Sequence, residues 1–134
     1  MHALHGFGRY VTSLAFSPDG HRLITVTDLG KLQIWDARTQ RLMHTVQLEG
    51  DEPSKPAFSP DSHRVAVGMY GAGTAYVVDL PTGRLVAHAK PSDLGCGSVA
   101  FSPDGKWLVT PSTGGLMTWP YDDGGGTVRV FRLP

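Results

Sequence analysis

The sequence has little cysteine, little charge and no long apolar run. Its single cysteine, Cys96, excludes an intrachain disulfide. Cys96 lies in Leu94-Gly95-Cys96-Gly97 with no neighbouring base to lower its pKa, so it reads as a small ordinary thiol. Charged residues are 18% of the chain, and twelve Lys and Arg match twelve Asp and Glu. That balance lacks the basic excess of a general nucleic-acid binder. No apolar stretch approaches the ~18 residues of a membrane helix. Met1 to Tyr10 has one Arg and no apolar signal-peptide core. With neither signal nor disulfide, the expected location is the cytoplasm. A chain that is 40% hydrophobic with zero net charge is not compositionally disordered. Helical stripes are missing as well, because 17 Gly and 10 Pro interrupt the chain too often.

What the sequence does have is repetition. Leu14-Ala15-Phe16-Ser17-Pro18-Asp19-Gly20 returns as Pro56-Ala57-Phe58-Ser59-Pro60-Asp61-Ser62 and as Val99-Ala100-Phe101-Ser102-Pro103-Asp104-Gly105. The three Phe are 42 and 43 residues apart. Ile34-Trp35-Asp36 and Val77-Val78-Asp79 keep the same period, as do Gln40-Arg41-Leu42 and Gly83-Arg84-Leu85. Within the first unit, Val11 to Ser17, Leu23 to Thr27, Lys31 to Asp36 and Arg41 to Leu48 are β-rich runs bounded by turn residues. In the third of these, Leu32 and Ile34 share one face and Gln33 takes the other. The second unit repeats the pattern with Arg64 to Met69, Thr74 to Asp79 and Arg84 to His88. The third has Gly97 to Ser102, Lys106 to Thr110 and Thr127 to Arg132.

The Ser-Pro-Asp-Gly turn has a mechanism. Pro presets φ near −65°, Asp bonds the local backbone, and Gly accepts positive φ at no steric cost. This predicts a hairpin between the first two strands of each unit. Ser62 stands where the other copies have Gly, so a conserved turn geometry predicts mild strain there, roughly 1 kcal/mol. Asp28-Leu29-Gly30 and Gly71-Ala72-Gly73 are the turn compositions between second and third strands.

A period of ~40–45 residues with four strands per unit is that of a propeller blade. Val-Ala-Phe-Ser-Pro-Asp-Gly followed by a β-rich run and Ile34-Trp35-Asp36 resembles the WD40 repeat. The stretch Ala75 to Val86 is at least as similar to the YVTN type of bacterial propeller. The resemblance covers nearly the whole chain. It implies an all-β fold, a partial propeller of about three four-stranded antiparallel blades whose third is incomplete. A single repeat domain over 1–134 would hold blade 1 at about 8–49, blade 2 at about 54–90 and blade 3 at about 97–134. The third lacks its outer strand unless residues 1–7 supply it, and Leu4-His5-Gly6 looks like the tail of such a strand.

WD40 blades usually carry Gly-His before the first strand, and that His joins a polar network with Asp, Ser or Thr, and Trp. Here the corresponding places read Gly6-Phe7, Gly50-Asp51 and Ser92-Asp93, so the blades resemble degenerate units. Thr25 and Trp35 are expected to fill two network roles in the first blade. Asp28 lies in the right turn, one place off. Stability is then expected mostly from apolar stacking. Propellers close with about four to eight blades, so three blades leave two blade faces uncovered. The chain is expected either to be part of a larger propeller, the favoured reading, or to self-associate.

Six His invite a metal reading, yet only His2 and His5 are close in sequence, and zinc ligands cluster. His21 and His63 share a turn position that accepts Lys106 in the third copy, which marks it as solvated. Asp19, Asp61 and Asp104 are explained by the turn. There is no nucleophile elbow, phosphate loop or dinucleotide fingerprint. No metal, cofactor, nucleic acid or membrane partner is therefore expected.

One feature exceeds the repeat. Asp36 and Asp79 are 43 apart, but Asp79 and Arg132 are 53 apart. The excess falls between second and third strands of the last unit and includes Met117, Trp119, Tyr121, Asp122 and Asp123. The resemblance places such connections on the face that usually binds partners, and Trp, Tyr and Met are favoured interface anchors. An equally weighted reading has Leu116, Met117 and Trp119 covering a local apolar patch. The expected function is a non-catalytic module for protein or peptide partners. The alternative is part of a propeller enzyme or ligand-binding propeller, inactive without its other blades. A sensory propeller attached to a kinase is a third option that no residue here supports.

Overall fold

The Ser-Pro-Asp motif folds the same way three times. In the computed structural model, which describes residues 3–6, 8–89, 96–112 and 127–134, Ser17, Ser59 and Ser102 each donate a hydroxyl hydrogen bond to Asp19, Asp61 and Asp104, at 2.6, 2.6 and 2.5 Å. The same hydroxyls accept the backbone N–H of Arg22, Arg64 and Trp107. Each Asp also accepts the backbone N–H two residues on, at 3.0 Å in all three copies. Gly20, Ser62 and Gly105 follow with φ of 75°, 62° and 72°. Ser62 therefore takes the strained conformation expected of it. Its hydroxyl accepts the backbone N–H of Asp19 at 3.1 Å, a bond to the neighbouring repeat that glycine could not make.

These turns join the first two strands of each of three antiparallel sheets, which hold eleven strands among the described residues. The first sheet orders β1 (Val11–Phe16), β2 (Arg22–Thr27), β3 (Lys31–Asp36) and β4 (Leu42–Gln47) consecutively. The second does so with β5 (Ala57–Phe58), β6 (Arg64–Met69), β7 (Thr74–Asp79) and β8 (Leu85–Ala89). The third pairs β9 (Ala100–Phe101), β10 (Trp107–Ser112) and β11 (Thr127–Arg132). No helix occurs among the described residues, and none is long and apolar enough to cross a membrane. Residues 3–6 form no strand.

The repeat extends to irregularities. The pairing of β3 with β4 slips between Ile34 and Trp35, and that of β7 with β8 slips between Val77 and Val78. The turn after β3 is closed by Asp36, which accepts the N–H of Arg38 and Thr39, and Gln40 then takes φ of 61° where Gly83 takes 70°. β9 is shorter than the run from Gly97 to Ser102 predicts, and β5 is equally short. Pro53 and Pro56 have no N–H to donate, so the chain beside β6 is held by a Pro53–Met69 bridge and a Ser54-to-Gly68 bond before β5 begins.

The core lies between sheets. One cluster joins Ile24, Val26, Leu32, Ile34 and Leu48 of the first blade to Val65, Val67, Met69, Tyr76 and Val78 of the second. The other joins Ala66, Ala75 and Val77 of the second blade to Cys96, Val99 and Leu108 toward the third. The alternation in β3 does not separate core from solvent, because Gln33 is as buried as its neighbours. Leu32 and Ile34 face the second blade, and Gln33 is covered on the opposite face of the same sheet.

Candidate functional site

One rim of the blades carries the turns between second and third strands. In blade 1 this turn is Asp28-Leu29-Gly30, closed by the Gly30 N–H to the Thr27 carbonyl at 3.0 Å. Gly30 has φ of 82°, and a Cβ there would strike the Leu48 carbonyl oxygen, so only glycine fits. In blade 2 the turn runs from Tyr70 to Gly73, which donates to Met69 and Tyr70.

A chain of backbone hydrogen bonds links these turns. The Asp28 N–H donates to the Tyr10 carbonyl at 3.1 Å, Glu52 to Asp28 at 3.2 Å, and Tyr70 to Glu52 at 3.1 Å. Gly71 donates to Asp51 alongside. Glu52 holds φ of 52° to make this path. Its strain, of order 1 kcal/mol or more, is carried by the bonds on either side. The result is a fixed row of Tyr10, Asp28, Glu52 and Tyr70 spanning two blades.

The side chains on this row face water. Tyr10 is 80% exposed, Tyr70 51% and Leu29 49%. Arg9 clasps Asp28 with two hydrogen bonds, Nε to Oδ1 at 3.2 Å and Nη2 to Oδ2 at 2.7 Å. That guanidinium holds the Asp28 carboxyl below its ordinary pKa, and Asp28 raises Arg9 in turn. Trp35 donates its indole N–H to the Thr25 hydroxyl at 3.1 Å in a buried setting, as expected.

Met117, Trp119, Tyr121, Asp122 and Asp123 lie outside the described residues. Their connection leaves from Ser112 and returns at Thr127, which are paired like Met69 and Thr74 at the rim end of blade 2. The Tyr10–Tyr70 row was not singled out by the sequence. Its only signals were a Tyr before the first strand, a Tyr after the second, and the run Glu49-Gly50-Asp51-Glu52.

The other candidates are placed as follows. Cys96 is buried against Gly68, where a Cβ would meet the Cys96 carbonyl oxygen at 2.5 Å. Burial pushes its thiol pKa up, the reverse of what a nucleophile needs. His21 and His63 are exposed at their turns, and His44 Nε2 lies 2.9 Å from the Pro81 carbonyl oxygen. His88 lies beside the Tyr76 ring, His5 is exposed near the N-terminus, and His2 is outside the described residues. Among the described residues no three His, Cys, Asp or Glu gather as a metal site.

Comparison with known proteins fits this geometry. A family model described as WD domain, G-beta repeat, matches residues 1–36 and 80–132. A WD repeat-containing protein of Deinococcus radiodurans is 31% identical over 92% of this chain and 54% of its own length. A guanine nucleotide-binding protein subunit beta of Arabidopsis thaliana is 30% identical over 95% of this chain and 35% of its own. The protein SL1-17 of Schistosoma mansoni, also WD repeat-containing, is 34% identical over 75% of this chain and 33% of its own. The crystal structure of the RRP9 WD40 repeats superposes with a TM-score of 0.72 at 15% identity, covering 81% of this chain and 34% of that one. The chain therefore spans between about one third and one half of these relatives.

Proposed function

The chain belongs to the WD40 repeat family, whose propellers typically serve as protein-interaction scaffolds, and we propose that it is a non-catalytic module binding protein or peptide partners at the rim. The observation that carries this reading is the fixed row from Tyr10 to Tyr70. Two exposed tyrosines stand on a backbone held by hydrogen bonds, with Asp28 and Glu52 between them. Rigid aromatic anchors with a polar surround are what interface hot spots use, because little side-chain entropy is lost on binding. Met117, Trp119, Tyr121, Asp122 and Asp123 extend the same rim in this proposal, since their connection springs from its third blade. The relatives' greater length supports a role within a larger ring.

Two double variants test it. Tyr10→Ala with Tyr70→Ala removes exposed rings and is expected to abolish partner capture by the immobilised chain while leaving its melting temperature unchanged. Trp119→Ala with Tyr121→Ala is expected to do the same. Loss of folding in the second pair would assign Trp119 to covering an apolar patch instead. Retained capture in both would end the rim reading.

A further inference from the structure

The middle of the rim lies between two blades that are both described. Leu29 on the blade 1 turn and Tyr70 on the blade 2 turn are each about half exposed there. The connection from Glu49 to Glu52 runs between them. It is packed against the blade 2 turn. A Cβ on Gly50 would lie 2.7 Å from the Ala72 Cβ, and one on Gly71 would collide with the Asp51 carboxylate. The Tyr76 hydroxyl donates to the Glu49 carbonyl at 3.3 Å. Main-chain bonds tie Asp51 to Gly71 and Glu52 to both Tyr70 and Asp28. Tyr70 and Leu29 therefore flank a loop that is pinned along its length.

That loop is where the chain keeps its unengaged carboxylates. Asp19, Asp61 and Asp104 are taken up by their turns, as are Asp36 and Asp79. Asp28 is clasped by Arg9. Glu49, Asp51 and Glu52 are exposed, and their side chains have no hydrogen bond or ion pair among the described residues. No nearby cation answers them. Arg9 is held by Asp28, Lys31 Nζ donates to the Gly6 carbonyl at 3.2 Å, and Lys55 makes no ion pair among the described residues. At the opposite end of the same blades the balance is reversed. There Arg38, Arg41 and Arg84 are exposed, while Asp36 and Asp79 are occupied by the turns between third and fourth strands. Like charges fixed close together repel, and an incoming cation relieves that repulsion. A Lys or Arg is also attracted to the face of an exposed Tyr.

We propose that this part of the rim receives a cationic segment of a protein partner, one with several Arg or Lys and an apolar side chain among them. The cations meet Glu49, Asp51 and Glu52, one of them lies on the Tyr70 ring, and the apolar side chain covers Leu29. The assignment rests on the rim reading above and adds to it the chemistry of what the rim receives. The exposed arginines at the opposite end repel the same segment, which fixes its side of approach.

Fluorescence anisotropy with labelled synthetic peptides tests it. One peptide alternates Arg with Leu and Gly, and its control has Glu in place of each Arg. The chain is expected to bind the Arg peptide and not the Glu peptide, with an affinity that falls as salt is added. Glu49→Gln, Asp51→Asn and Glu52→Gln together keep the shape of the loop and remove its charge. They are expected to weaken Arg-peptide binding about tenfold and to flatten its salt dependence, at an unchanged melting temperature. Tyr70→Ala is expected to weaken it several-fold. Arg38→Gln with Arg41→Gln, at the opposite end, is expected to leave it unchanged. An Arg peptide that fails to bind, or that binds the triple variant as tightly as the parent chain, overturns the proposal. The two readings fail separately. A Glu peptide that binds and is lost on Tyr70→Ala overturns the cationic assignment and leaves the rim reading standing. Peptide binding that ignores both Tyr70→Ala and the charge change ends both.

Discussion

Across the seam between blades 1 and 2, Ile24, Val26, Leu32 and Ile34 meet Val65, Val67, Met69, Tyr76 and Val78. Across the seam between blades 2 and 3, the same four places on the leading blade hold Ala66, Gly68, Ala75 and Val77. Every side chain has been trimmed. The trimming lets main chain approach main chain, since a Cβ on Gly68 would lie 2.5 Å from the Cys96 carbonyl oxygen and 2.8 Å from its sulfur. One seam is filled by long aliphatic side chains and the other by close approach. Close packing is reached both ways, which shows that the repeat specifies strand pairing more tightly than it specifies the filling between sheets.

Deleting bulk tests that difference most strongly. Ile34→Ala at the first seam is expected to cost about 2–5 kcal/mol, the range for burying a cavity where Ile was removed. Val77→Ala at the second seam removes fewer carbons and is expected to cost roughly half as much, at ~0.8 kcal/mol per CH2 plus its cavity. Chemical denaturation of both variants measures this, and equal losses would erase the contrast between the seams. Adding bulk acts in the opposite place. Gly68→Ala is expected to cost about 1–3 kcal/mol through overpacking, because its neighbour is main chain and cannot swing away.

A second comparison sets blade 1 against blade 3. Thr25 and Thr110 hold equivalent places, and both are buried. Thr25 accepts the Trp35 indole N–H. In blade 3 the Trp has become Phe131, and the Thr110 hydroxyl is buried without a hydrogen-bond partner among the described residues. Thr25→Val is therefore expected to destabilise by about 1 kcal/mol. Thr110→Val removes an unsatisfied hydroxyl and places there the residue that blade 2 has as Val67. It is expected to stabilise by roughly the same amount. Opposite shifts in the denaturation midpoint are the required result, and a loss at both sites would mean that Thr110 is held by something else.

The sequence made some of this legible and not the rest, for physical reasons. Turn residues are local chemistry, so the bounds of β3, β6, β7 and β11 follow from the β-rich runs between them without tertiary information. The Thr25–Trp35 bond followed from the family pattern. The shortness of β9 did not, because pairing depends on the strand beside it and not on the run from Gly97 to Ser102 alone. The burial of Gln33 did not, since alternation of apolar and polar residues is read as one wet face. The rim row was the least legible. Tyr10, Asp28, Glu52 and Tyr70 are far apart in sequence and are joined only by main-chain hydrogen bonds that any residue could make.

The smallest expected effect is one in which the seams should behave alike. Asp19, Asp61 and Asp104 are each held below the ordinary carboxylate pKa, first by a Ser hydroxyl and then by a backbone N–H. Asp28 is lowered by Arg9, and Asp36 by the Thr39 N–H. A carboxyl group with a lower pKa in the folded chain binds fewer protons there than when unfolded, so stability falls as the pH drops. The contribution is complete above the unfolded value of about 3.9 and is lost as the pH passes down through the lowered folded values. Solvent screens these exposed groups, which keeps the effect small. Replacing Asp19, Asp61 and Asp104 together by Asn keeps an acceptor and removes the titration. The melting temperature of that variant is expected to fall less steeply below pH ~4 than that of the parent chain. Ile34→Ala and Gly68→Ala should both keep the parent's slope, because all three turns carry the same bonds whichever seam they flank. A slope altered by only one of these substitutions would show that acid acts through that seam rather than through the turns.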